Sequence, residues 1–212
     1  MIGNTYGSTS QSYGGSFPAW KEVKGKETSG GTLSSLPAVG TVIPAGTLVS
    51  LDSAGGTAVL VKTWKVAAAA LSTATSIKVK LSNYMSLAPV VGDFIMIAPT
   101  TAATTGQGAE ISAVALDSTD TNGLTYDVTL DAAIGTALTT STILVQATSA
   151  EATASVIAVP TGILENDIYI SEGTSVATAT SVYDGVIWED RNAPVPACFK
   201  VVLPMIKFEK GV

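Results

Sequence analysis

Seventeen carboxylates, eleven cations, one thiol and no imidazole are what this chain of 212 residues offers to chemistry. Without histidine, neither a Ser-His-Asp nor a Cys-His arrangement can be built, and the usual general base and commonest metal ligand are both missing. The densest stretch is Trp188-Glu189-Asp190-Arg191, which carries the only arginine. Two carboxylates facing each other across a cleft could hydrolyse a glycosidic bond, and Asp184, Glu189 and Asp190 are the acids that would do it. The plainer expectation is a solvated turn with an Arg-carboxylate pair, and an aromatic share of 6% leaves little for a sugar platform. The chain is therefore expected not to be an enzyme, and no catalytic residue, cofactor or metal site is assigned.

Four other motifs fail on their spacing. Asp117-Ser118-Thr119-Asp120-Thr121-Asn122-Gly123 groups oxygen ligands of the kind calcium prefers. Aligned on an EF-hand loop, however, it puts Ser118 at the first acid and Thr129 at the bidentate one; Asn122-Gly123 reads better as a type I′ hairpin turn. Gly106-Gln107-Gly108 lacks the third glycine of a dinucleotide fingerprint and runs into a strand. Gly25-Lys26 has Trp20 where a phosphate loop needs its first glycine. Gly173-Thr174-Ser175-Val176-Ala177 echoes a nucleophile elbow with no histidine to activate the serine. Cys198, the single cysteine, lies in an apolar run and reads as a buried, inert thiol.

The elements that must position these residues are strands. From Thr41 onward, short β-branched runs alternate with turn residues. Residues 42–51 contain a Pro-Ala-Gly break and then a strand, 52–56 turn the chain, and 58–66 (AVLVKTWKV) form the return strand of a hairpin. Residues 67–70 form a loop or single turn, because four alanines cannot sustain a helix. Five runs follow, 76–81, 94–98, 111–116, 124–130 and 143–147, and predict a small closed barrel. Strands continue at 156–159, 167–170 and 181–188. The run 199–208 (FKVVLPMIKF) reads as an edge strand or as two strands meeting at Pro204, and one helical turn is conceivable at 161–166.

Residues 1–16 show no period that could bury a face and read as an arm. Tyr6, Tyr13, Phe17 and Trp20 are its aromatic anchors, expected to lie on a neighbouring subunit. Residues 20–27 read as a charged bridge, followed by a Ser/Gly-rich linker to Ser35. The organisation expected is an arm and linker over 1–35, a β domain made of 36–70 plus 156–212, and an inserted barrel over 71–155.

A net charge of -6 argues against binding nucleic acid by phosphate neutralisation. No basic segment precedes an apolar run at the start, and no apolar run approaches the length of a membrane span. The expectation is a soluble protein made in a cytoplasm, with no membrane partner.

Two segments resemble a known family. Gly40-Thr41-Val42-Ile43-Pro44-Ala45-Gly46-Thr47-Leu48-Val49-Ser50-Leu51-Asp52 resembles a strand near the start of tailed-bacteriophage head decoration and head-fibre proteins, and Tyr183-Asp184-Gly185-Val186-Ile187-Trp188-Glu189-Asp190 is similar to a later strand of them. The resemblance covers 35–51 and 156–212. It implies an auxiliary capsid protein with a β-tulip-like capsid-binding domain, a homotrimer on the virion surface, with the major capsid protein as partner, Tyr6, Tyr13, Phe17, Trp20, Trp188 and Arg191 as capsid or subunit contacts, other head-fibre proteins as further partners and no enzymatic activity. Val91-Gly92-Asp93-Phe94-Ile95, 124–130, Asp131-Ala132-Ala133-Ile134-Gly135 and Ile143-Leu144-Val145 resemble small β-barrel insertions of phage virion proteins. The fold expected is all-β, a β-tulip-like domain with an inserted barrel. The alternative function is an adhesin whose barrel binds host glycan or protein, with Tyr84, Met85 and Tyr126 as contacts.

Overall fold

The computed structural model describes residues 19–82 and 86–211. Over them the chain is nearly all β. Its first strands are β1 (Trp20–Lys26), β2 (Gly31–Leu33), β3 (Val42–Ile43), β4 (Leu48–Asp52) and β5 (Thr57–Val61). Six more follow: β6 (Thr63–Val66), β7 (Ser76–Lys80), β8 (Phe94–Ile97), β9 (Gly108–Leu116), β10 (Thr125–Leu130) and β11 (Ile143–Gln146). The last part contains β12 (Gly162–Leu164), β13 (Ile168–Tyr169), β14 (Thr178–Ala179), β15 (Ser181–Trp188), the helix α1 (Ala197–Val202) and β16 (Ile206–Glu209).

These strands make two bodies of sheet. One has eight strands in the order β1-β15-β12-β4-β5-β2-β14, with β16 also paired to β15; the other is a closed barrel, β10-β7-β6-β11-β8-β9. A short pair, β13-β3, stands apart.

The residue pattern explains the arrangement. In β4 and β12, neighbouring residues enter different cores: Leu48 and Ile163 join one apolar cluster, Val49 and Leu164 another. A strand covered on both faces must be apolar at consecutive positions, which is why these strands do not alternate. The barrel interior is filled by Trp64, Ile77, Val79, Ile95, Ile111, Val128 and Leu144. Trp64 is fully buried and donates its indole N–H to the Leu87 carbonyl at 2.8 Å, satisfying its one polar atom. Met96 and Val145, from the barrel, pack with Leu48, Val61, Ile163, Ile187 and Phe199, so the two sheets share an apolar seam.

The expected 58–66 strand is two strands. The break falls at Lys62, whose ammonium binds both Asp93 carboxylate oxygens at 2.8 and 2.7 Å. Asp93 also accepts from the Gln146 side chain at 3.2 Å, and the Gln146 backbone N–H donates to the Lys62 carbonyl at 3.0 Å. This pull on Lys62 carries the chain out of the eight-stranded sheet and into the barrel, which therefore has six strands where five runs were anticipated.

Other local readings are corrected. The charged bridge and the linker supply β1 and β2: backbone pairing with β15 and β5 satisfies their main chain, while Trp20 and Leu33 anchor them to the core and most of the charged side chains of β1 stay in water. Residues 161–166 contain β12 and not a helical turn. Residues 199–202 are helical, with Cys198 and Phe199 on the buried face of α1 and Pro204 placed between it and β16. The Asn122-Gly123 turn is part of a longer loop, 117–124, in which Asp117 and Asp120 accept backbone N–H groups from Thr119 and Asn122 at 2.9 Å. The Pro-Ala-Gly break is a tight turn in which Thr47 N–H reaches the Pro44 carbonyl and Gly46 sits at φ 89°, the positive angle a type II turn demands at its third position. Among the described residues no helix is long and apolar enough to cross a membrane.

Candidate functional site

The strand β15 is held on both sides. Along one edge it pairs antiparallel with β1 from Trp20 to Lys26, and along the other with β12 and then, in parallel, with β16 from Ile206 to Glu209. β1 comes close enough that a Cβ on Gly185 would lie 2.5 Å from the Glu22 carbonyl oxygen and 3.2 Å from the Trp20 ring. Only glycine fits there. Trp20 is turned inward, packed on the core, with its indole N–H donated to the Leu164 carbonyl at 3.0 Å.

Trp188 ends β15 half-buried. The Lys21 ammonium stands 5.1 Å from its ring centroid and the Arg191 guanidinium 5.4 Å, both within cation–π range. Lys21 also binds Glu209 at 2.7 Å, and Lys207 binds the same carboxylate at 2.6 Å. Lys207 first and Lys21 second hold the Glu209 carboxyl down to about 2 from an ordinary 4.5; Glu209 raises the Lys207 ammonium in turn. Lys200 lies 5.0 Å from the Phe208 ring and is ion-paired to Glu189.

A single-turn 3-10 segment, Glu189–Arg191, carries the chain away from Trp188. It is fixed by Asn192, which is fully buried. The amide orientation that satisfies both of its polar atoms places Nδ2 2.7 Å from the Glu189 carbonyl and 3.2 Å from that of Trp188. Gly46 accommodates this residue: a Cβ there would meet Asn192 Cβ at 2.8 Å. Asp190 accepts the Gly211 N–H at 3.0 Å.

Of the residues predicted to make contacts, Trp188 and Arg191 are thus brought together, and Trp20 lies on the other side of the sheet's backbone, against the core. Tyr6, Tyr13, Phe17, Tyr84 and Met85 lie outside the described residues. Tyr126 packs partly against the barrel interior. Of the carboxylates considered for hydrolysis, Glu189 is ion-paired with Lys200, Asp190 accepts the Gly211 N–H, and Asp184 lies within β15. The calcium-like loop is likewise self-satisfied, since Asp117 binds Lys78 at 2.6 Å as well as Thr119, and Asp120 serves Asn122 and Leu124. Lys21, Lys207 and Glu209 are part of the site and were missed by the sequence reading. Their only trace there is the alternation of charge in 20–27 and 207–210, which gives no hint that the two ends share a strand.

A recess of about 290 Å³ on the barrel is lined by apolar Met96, Ile97, Pro99 and Ile134 and by several threonines, among them Thr104 and Thr136. Comparison with protein-family models, with curated proteins and with solved structures finds no match.

Proposed function

We propose that the chain is a structural virion protein, a head decoration or head-fibre protein that docks on the major capsid protein as a trimer through the β1, β15 and β16 face. The observation that carries this reading is Trp188, a half-buried indole set between Lys21 and Arg191 on a strand paired along both edges. Tryptophan and arginine are the residues on which interface energy concentrates, and a rigid strand presents them without an ordering cost. The segment resemblance supplies the partner. Nothing at the site performs covalent chemistry in this reading; it acts by contact.

The test is binding to shells assembled from the cognate major capsid protein and lacking this chain. Wild type is expected to bind, and Trp188→Ala to weaken binding by 2 kcal/mol or more, on the order of thirtyfold. Failure of the wild type to bind overturns the reading. A second reading, an adhesin, is favoured by the threonine-lined recess of the barrel; unchanged adsorption of particles whose protein carries Thr104→Trp would remove it.

A further inference from the structure

Charge is distributed unevenly over the fold. Over β1, β15 and β16 and the segments that follow Trp188 and Glu209, seven cations (Lys21, Lys24, Lys26, Arg191, Lys200, Lys207 and Lys210) meet five carboxylates (Glu22, Asp184, Glu189, Asp190 and Glu209). The remaining four cations stand against twelve carboxylates. A chain with net charge -6 is therefore about +2 at this end and about -8 over the rest.

The local excess is built by contact as well as by composition. Lys21 and Lys207 share one carboxylate, that of Glu209, so the triplet keeps a positive charge. The Lys207 side chain is 71% exposed. Trp188 draws Lys21 and one further cation, Arg191, to its ring through its quadrupole, which takes up no charge. In the barrel the pairing runs the other way: Lys78 serves both Asp117 and Asp127, leaving negative charge in excess.

We infer that the partner surface met by the Trp188 face is acidic, a carboxylate-rich patch of protein, and that the charge asymmetry orients the molecule as it arrives. This rests on the docking reading above and names the chemistry of its partner. An acidic surface repels most of this protein and attracts only the Trp188 end, so approach in any other orientation is disfavoured before contact. The barrel is thereby directed away from the surface on which the protein lands.

Retention on a carboxylate-bearing resin at neutral pH and low salt tests this directly. A protein of net charge -6 with uniform charge flows through. Wild type is expected to be retained and to be released by about 0.15 M salt, where the Debye length is about 8 Å. Replacing Lys207→Glu and Lys210→Glu together is expected to abolish retention. Replacing Lys65→Glu and Lys80→Glu, on barrel strands β6 and β7, changes the net charge by the same amount and is expected to leave it intact. Flow-through of the wild type, or equal loss in both double variants, overturns the inference. Near-ultraviolet circular dichroism confirms that each variant is folded. Retention on the resin without binding to shells would sink the virion reading and leave the polarity standing; shell binding that high salt does not weaken would do the opposite.

Discussion

At the residue scale, two polar groups have opposite fortunes. The Thr63 hydroxyl is buried and has no hydrogen-bond partner among the described residues. Such a group bears its desolvation cost with nothing in return, so Thr63→Val is expected to raise stability by about 1 kcal/mol, read as a higher urea midpoint at unchanged slope. Asp117 is oversatisfied. Lys78 first, then the Thr119 hydroxyl and backbone N–H, lower its carboxyl from 3.8 to about 2. A depressed carboxylate contributes stability that is complete above its ordinary value and lost as pH falls through the folded value. Thermal melting between pH 4 and about 2 should therefore fall less for Asp117→Asn than for wild type; parallel curves would show that the Lys78 contact counts for nothing. The hydroxyl and the acid were visible in the sequence as types, but their surroundings were not: Lys78 is 39 residues from Asp117, and only the β7-β10-β9 order brings them together.

At the scale of elements, the positions that matter are crossings. Gly185 lets β1 lie against β15 with the Trp20 ring above it, and Gly185→Ala should cost about 1 to 3 kcal/mol by overpacking. Because β1 carries Lys21, the same change should reduce shell binding beyond what its stability loss explains, a split that binding and unfolding curves on one preparation would reveal. Asp93 ties β5, β6, β8 and β11 at the point where the chain passes from sheet to barrel, and Asp93→Ala leaves Lys62 half-buried without its carboxylate. A loss on the order of 2 kcal/mol is expected by chemical denaturation. Strand existence was largely legible in the sequence, because β-branched runs between glycines have few other solutions; the five anticipated barrel runs are all strands. What the pattern hid were the exceptions set by long-range pairing. Lys62 looks like an ordinary outward residue of one strand, charged 20–27 looks like a solvated bridge, and apolar 199–202 looks like a strand although Pro196 and the core beneath make it a helix. Trp188 and Arg191 were identifiable as a dense local motif, while the Lys21 and Glu209 half of the site comes from 167 residues before and 21 after Trp188.

At the scale of the molecule, the virion reading sets the mass and the salt response. Light scattering should give three times the 21.4 kDa of the chain, and a monomer at all concentrations would confine trimerisation to the shell surface. The pairing of strands also has a mechanical reading. The barrel is tethered to the rest by Lys62, which continues β5, and by 147–161, which leads into β12. Between these tethers and β15 lie a five-pair ladder, β5-β4, and then two ladders of two pairs each, β4-β12 and β12-β15. Tension applied to the barrel of a molecule anchored through Trp188 passes through those short ladders and through the apolar seam that joins Met96 and Val145 to Ile187, and β12, held by two residue pairs on each side, is the fuse of the fold: under load it yields first, and the barrel unloads as an intact body while the anchored end keeps its grip.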